Sequence, residues 1–181
     1  RREIEVIRNL THENIVRLID FNLDHDPPYL VTEYCTGGSL SDVEPFWKGN
    51  PAVAFRLFQQ ICAAVAHAHS QDVIHRDLKP DNIFLRGPTG PAVVGDFGIC
   101  FFDDKGSRVT LTEEAVGARH YMAPELEDGR VKEISQKSDT YSLGKILYWL
   151  LSGGKEFSRE KHRDRQFDLK GYNLDSEMGW D

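Results

Sequence analysis

Cysteine is scarce here: Cys35, Cys62 and Cys100 are the only three in 181 residues. A set that is odd in number and widely spaced excludes a disulfide framework and carries no zinc-ligand spacing, so reduced thiols in a cytosolic setting are expected. Long hydrophobic runs are lacking as well. The longest, near residues 143–151, is interrupted by Lys145 and falls well short of the roughly 20 apolar residues of a bilayer-crossing helix. No secretory signal pattern opens the chain. Positive charge is in the minority, with 22 Lys and Arg against 29 Asp and Glu and a net charge of −7. That balance argues against a general nucleic-acid or anionic-membrane surface. Internal repeats, low-complexity tracts and long linkers are absent, so one domain is the default. The chain opens on Arg1 without a Met, as an excised or incomplete chain would.

What is present is ordinary globular composition, 40% apolar and 28% charged, in a chain long enough for a sizeable core. Ile4, Ile7 and Leu10 fall three apart on one helical face. Residues 15–21 and 29–34 read as two strands joined by the turn chemistry of Asp24-His25-Asp26-Pro27-Pro28. Asn50-Pro51 is a cap-plus-proline helix start, and Ala54, Phe58, Ile61, Val65 and Ala68 follow at helical spacing. His67 and His69 on that helix lack partners at metal-ligand spacing and read as surface or packing residues. Short apolar runs follow at Val73-Ile74 and Ile83-Phe84-Leu85, and a strand is expected over 92–94. A helix opening around Ser138 buries Leu143, Ile146, Leu147, Leu150 and Leu151 and stops at Ser152-Gly153-Gly154. Residues 159–165 interleave acids among bases and read as a solvated segment.

The chemistry concentrates in His75-Arg76-Asp77-Leu78-Lys79-Pro80-Asp81-Asn82, with Asp96-Phe97-Gly98 and Ala123-Pro124-Glu125 downstream. Any one of these alone could be a charged turn. Three in this order suit phosphoryl transfer: an acid to take or orient a hydroxyl proton, a cation to screen the moving phosphoryl group, and hard oxygen ligands for Mg²⁺. Across nearly the whole chain the sequence resembles the eukaryotic-type protein kinase family, and the lysine two residues after Asp77 resembles its serine/threonine members.

The resemblance implies an α+β, two-lobe, protein-kinase-like fold in truncated form. Residues 1–34 would be a remnant of the small β-rich lobe, running from the C-helix to the hinge, and 35–181 the hinge and most of a mainly helical large lobe. It implies a cytoplasmic enzyme using ATP and Mg²⁺ on a protein partner with a Ser or Thr acceptor, with no nucleic-acid or membrane partner. In this likeness Asp77, Lys79 and Asn82 are catalytic, and Asn82 and Asp96 hold the metal. Glu3, Thr32, Glu33, Cys35, Phe84 and Asp96 face the nucleotide. Glu3 pairs with the nucleotide-binding lysine, with Glu5 as its rival, while a plain solvated charge is the reading without the family. Thr32 is the small gatekeeper, and the Glu33 carbonyl and Cys35 backbone groups meet the adenine edge. Without the family, Gly37-Gly38 is a flexible turn. Asp139 holds the catalytic-loop backbone, and Tyr141 replaces a more usual tryptophan.

Three further features depart from the family pattern. Ala118 stands where a threonine hydroxyl usually bridges the catalytic acid and lysine, which implies a slower enzyme or a looser acceptor preference. Arg76 implies control by phosphorylation at Ser107, Thr110 or Thr112, yet the second basic residue of that pocket is replaced by Phe101. No glycine-rich phosphate loop or strand lysine precedes Glu3, so the 181 residues alone are expected to have very little kinase activity. The competing class is a pseudokinase or scaffold that keeps the fold without catalysis. A small-molecule kinase of similar fold comes third, because Ala123-Pro124-Glu125 and the long segment before it suit protein acceptors.

Overall fold

Asn50 and Pro51 start the helix against which the rest packs. In the computed structural model, which describes residues 7–43, 45–97, 120–127 and 134–169, helix α1 spans Pro51–His69. The Asn50 side chain accepts a hydrogen bond from the Val53 N–H at 3.2 Å, satisfying one of the free amides at the helix start. The buried stripe is Ala54, Leu57, Ile61, Ala64, Val65 and Ala68. Phe58, expected inside, is half-buried at its flank, and Leu57 takes the interior place.

The main partner of α1 comes much later in the chain. Helix α3, Gln136–Leu151, follows the short helix α2, Pro124–Glu127. Ser135 and Ser138 cap α3 reciprocally, which is why it begins two residues before the expected Ser138. Ser152 closes it, and Gly153 and Gly154 take positive φ values of 69° and 94°, the conformation that makes glycine a helix stop. Ile146 and Leu150 are buried as expected, but Leu143, Leu147 and Leu151 are only half-buried, while Tyr148 and Trp149 go inside. The cause lies outside the helix. The fully buried Trp47, in the loop before α1, stacks its ring 5.2 Å from that of Trp149 and turns this face inward.

Two antiparallel strand pairs complete the described part. Strand β3, Ile83–Leu85, pairs with β4, Ala92–Val94, in the register Ile83↔Val94, Phe84↔Val93 and Leu85↔Ala92. Strand β1, Leu18–Asn22, pairs with β2, Tyr29–Thr32, with an irregularity between Leu18 and Asp20. Both are shorter than the expected 15–21 and 29–34. Ile15 belongs elsewhere: it is buried and bridges Val94 in parallel, with the Val16 N–H donating to the Val94 carbonyl at 2.9 Å. A continuous β-branched run in the sequence hides this change of partner.

Lys145 on α3 is a cation placed in the interior. Its Nζ donates to the Phe157 carbonyl at 2.8 Å and lies 3.5 Å from the centre of that ring. Burial pushes its pKa down to about 8, against the pull of Glu160 and Glu156. The folded value lies below the ordinary 10.5, so the unfolded chain binds the proton more tightly. This residue's contribution to stability therefore rises between about pH 8 and 10.5, and below pH 8 the cost of burying the charge is carried in full. Lys145→Met is expected to stabilise the protein at pH 7 by about 1 kcal/mol, the lost carbonyl and ring contacts offsetting part of the gain. Denaturant midpoints should show the advantage shrinking toward pH 10, and a destabilised variant at pH 7 would contradict this account. Among the described residues no helix is long and apolar enough to cross a membrane.

Candidate active site

The loop between α1 and β3 gathers two of the expected side chains around the carboxylate of a third, Asp77. Lys79 Nζ stands 3.2 Å from Asp77 Oδ2, and the Asn82 amide group donates to the same oxygen at 3.0 Å and to the Asp77 carbonyl at 2.7 Å. A single turn of 3₁₀ helix, Pro80–Asn82, makes the spacing work by turning Asn82 back toward Asp77. Asp77 and Lys79 remain about a quarter exposed, so a substrate can reach them.

Asp139, at the start of α3, holds this loop from behind. Its carboxylate, 1% exposed, accepts from the His75 N–H and the Arg76 N–H, each at 2.9 Å. The expectation for Asp139 is met. The same carboxylate lies 2.7 Å from His69 Nε2, so the last residue of α1 joins the network. His69 is thus more than a packing histidine. No local signal in the sequence marks it, because its partner Asp139 lies 70 residues away.

His75 is fully buried. Burial pushes its pKa down, opposed by Asp139, the Gly95 carbonyl, Asp77 and Asp96, so the ring is neutral. Its bonds assign the tautomer: Nε2–H donates to the Gly95 carbonyl at 2.8 Å, and Nδ1 accepts from the Asp77 N–H at 3.3 Å. The ring packs 4.6 Å from Phe97. One neutral imidazole therefore ties the Asp77 backbone to the turn that carries Asp96.

Asn82 and Asp96 are brought together by backbone. The Gly95 N–H donates to the Asn82 carbonyl at 2.9 Å, one step beyond the Ile83↔Val94 pair. A side chain at Gly95 would strike the Phe84 ring at 2.8 Å, so this close approach requires glycine. Asp96 itself has φ of 58° and Arg76 has φ of 70°, left-handed conformations that cost a non-glycine residue about 1–2 kcal/mol. Both flank the candidate chemistry.

The donor set fits Mg²⁺. Burial pushes the Asp96 carboxyl up, with Asp77 adding to the rise and Lys79 opposing it. Among the described residues Asp96 accepts no hydrogen bond, and Asn82 uses only its nitrogen, leaving a hard carboxylate and an amide oxygen for a cation. No group of three or more His, Cys, Asp or Glu converges among the described residues. Mg²⁺ does not need one, because it keeps waters and takes substrate phosphate oxygens.

The stretch after β2 runs between the two halves. Cys35 is buried and its carbonyl accepts from Gly38 N–H at 3.2 Å. Among the described residues the Glu33 carbonyl and the Cys35 N–H have no protein partner, which leaves both for a base edge. Thr32 is exposed at the end of β2, and Phe84 is half-buried with its ring against Gly95. Gly37-Gly38 is no loose turn. The Gly37 N–H donates to the Leu85 carbonyl, the Leu85 N–H to the Gly38 carbonyl, and Gly37 presses directly on the Gly87 backbone. Burial pushes the Glu33 carboxyl up, but hydrogen bonds from Arg86 and the Arg17 N–H outweigh it and hold the group below its usual range. Sequence reasoning missed Arg86 because the pairing spans 53 residues.

On the other flank, Ser138 donates to Glu125 at 2.5 Å, fixing α2 to the start of α3. The Tyr121 hydroxyl donates to Glu156 at 2.9 Å, and His120 Nδ1 lies 2.7 Å from its other oxygen. Glu3 and Glu5, Gly98 to Phe101, Ser107, Thr110, Thr112 and Ala118 lie outside the described residues.

An acid, a lysine and an asparagine on one loop, with an aspartate on the next turn, agree with a match of the protein kinase domain family over residues 1–176. The chain belongs to this family. It is 39% identical over 164 residues to the serine/threonine-protein kinase Pkn1 of Myxococcus xanthus, covering 87% of this chain and 23% of that protein. It is 36% identical over 161 residues to PrkC of Bacillus subtilis, covering 88% and 24%. With the human serine/threonine-protein kinase ULK1 it shares 36% over 173 residues, 90% of this chain and 16% of the relative. The chain thus spans about a quarter or less of the length of these relatives. The expected α+β kinase fold is the one observed.

Proposed function

We propose that the protein is an ATP- and Mg²⁺-dependent protein serine/threonine kinase. The observation that carries this reading is the convergence of Lys79 and Asn82 on the Asp77 carboxylate, with Asp96 fixed beside them through Gly95 and His75. The acceptor Ser or Thr oxygen attacks the γ-phosphorus as the bond to the β–γ bridging oxygen breaks. ADP leaves, and the hydroxyl proton passes to Asp77 and on to solvent. Lys79 screens the charge on the transferred group and, by its 3.2 Å contact, orients the Asp77 carboxylate. Asn82 and Asp96 would hold Mg²⁺, which when bound neutralises the phosphate charge. The Glu33 carbonyl and Cys35 amide would meet the adenine edge, with Thr32 and Phe84 bounding the base and Glu3 completing the phosphate side. In this reading residues 1–34 belong to the small lobe and 35–181 to the hinge and large lobe of a cytoplasmic enzyme.

One observation favours a second reading. Ala118 removes the hydroxyl that the family uses near Asp77, which suits a pseudokinase or scaffold. The deciding experiment incubates the full-length protein with radiolabelled Mg-ATP and a library of Ser- and Thr-containing peptides. Label on serine or threonine, dependent on Mg²⁺, is the expected result. Nucleotide binding without any transfer would overturn the enzyme reading in favour of the scaffold.

A further inference from the structure

Arg86 follows β3 directly, the strand that begins next to Asn82, and its guanidinium reaches away from that strand to Glu33. Its Nη2 donates to Glu33 Oε1 at 2.9 Å and to the Ile15 carbonyl at 3.4 Å. The same Glu33 oxygen accepts from the Arg17 N–H at 2.9 Å. One side chain of the large lobe therefore grips the chain on both sides of the β1–β2 hairpin, just before β1 and just after β2. The backbone of Arg86 is itself fixed: its carbonyl accepts from the Thr36 hydroxyl at 3.0 Å, and its N–H donates to the Pro91 carbonyl at 3.2 Å.

We infer that Arg86, acting through Glu33, is a positioning residue that sets the hinge, and so the reach from the base-binding backbone to the metal ligands. This deepens the kinase reading and rests on it. The base is to be met at Glu33 and Cys35 and the phosphates at Asn82 and Asp96. The two ends of the nucleotide are thus held by segments whose separation is free to vary unless something locks it. Backbone bonds from Asn14 and Val16 to Val94 fix the entry to β1. The exit from β2 has no such bond to β4, and the backbone ties of Gly37 and Gly38 to Leu85 begin only several residues on, so the Glu33–Arg86 pair supplies the tie at the exit itself. The geometry is one of restraint more than of strong attraction. Arg86 and Glu33 are 36% and 21% exposed, they border an open cleft of about 440 Å³, and Arg86 Nε is buried without a partner. Water screens the pair, so its effect should be read in nucleotide affinity before it is read in melting temperature.

The test uses the full-length protein and Arg86→Met, which keeps the apolar stem and removes the fork. The expected weakening of Mg-ATP binding is about 3- to 10-fold, the scale of one part-exposed charge-assisted hydrogen bond. The KM for acceptor peptide at saturating nucleotide should not change. Amide exchange should accelerate at Arg17 and at Cys35–Gly38 while core amides of α1 stay protected. Combined with Glu33→Gln, the Arg86 effect should largely vanish, since the two act as one unit. If Arg86→Met fails to fold, Arg86→Lys replaces it, with a smaller loss expected because charge is kept without the fork. Unchanged exchange at those amides, additive losses in the double variant, or unchanged nucleotide affinity with a loosened hinge would each overturn the inference. A wild-type protein that binds no Mg-ATP would instead overturn the kinase reading and the nucleotide role with it. The exchange measurement would then still decide whether Arg86 fixes the hinge.

Discussion

Asp77→Asn is expected to lower the rate of the chemical step by about 10²- to 10⁴-fold, the range a positioned general base contributes, while leaving the melting transition nearly unchanged. The substitution is nearly isosteric. Asparagine can still accept the hydrogen bond from the Asn82 amide that now reaches Asp77 Oδ2 at 3.0 Å, and the bond from Asn82 to the backbone carbonyl is untouched. What disappears is the proton acceptor and the negative charge that draws Lys79 to 3.2 Å. Both losses act on the transferring group, not on the resting fold, because Asp77 and Lys79 are part-exposed and such a pair contributes little to stability. Single-turnover phosphorylation at saturating Mg-ATP separates the chemical step from product release, and nucleotide binding provides the control. Unchanged single-turnover transfer with a normal melting profile would remove Asp77 from the role of base.

Much of this arrangement was legible because the chemistry is local. Asp77, Lys79 and Asn82 lie within six residues, and one turn of 3₁₀ helix suffices to bring them together. The start of α1 and the stop of α3 were legible for the same reason: Asn50-Pro51 and Ser152-Gly153-Gly154 satisfy or end backbone hydrogen bonds within one turn. Long-range pairings were not legible. Ile15 reads as part of a hairpin strand, since its side chain is as β-prone as its neighbours', and only the fold reveals Val94 as its partner. Trp149 is drawn inside by Trp47, about a hundred residues earlier, which no helical period records. Arg86 and Glu33 each look like solvated charges, and Glu156 joins Tyr121 and His120 from beyond the end of α3. For Thr32, Glu33, Cys35 and Phe84, the resemblance supplied the roles, and the fold adds where each sits.

Asp139→Asn should damage stability and catalysis together, which distinguishes it from Asp77→Asn. Asp139 sits in the interior and presents two oxygens to three groups: the His75 N–H, the Arg76 N–H and the His69 ring. Asparagine keeps one oxygen acceptor but turns the other site into an NH₂, a donor facing a donor. Whichever way the amide settles, at least one buried donor loses its partner, at a cost of about 1–3 kcal/mol. The opposed amide hydrogens and the loss of charge opposite His69 raise the expected total to about 3 kcal/mol. At a temperature where the variant is still folded, the same change loosens the backbone that carries Arg76 in its left-handed conformation and Asp77 next to it. A displacement of about 1 Å in a reacting group can cost about 10²-fold, so the single-turnover rate should fall by one to two orders of magnitude. His69→Gln offers the graded comparison, because its amide can still donate to Asp139 and both backbone bonds survive. It should cost less than a third of the stability lost in Asp139→Asn. Denaturant unfolding and single-turnover rates on the full-length variants read the two effects separately. An Asp139→Asn protein that melts like wild type, or one that loses stability but transfers phosphate at the wild-type rate when folded, would show that Asp139 does not hold the catalytic loop in place.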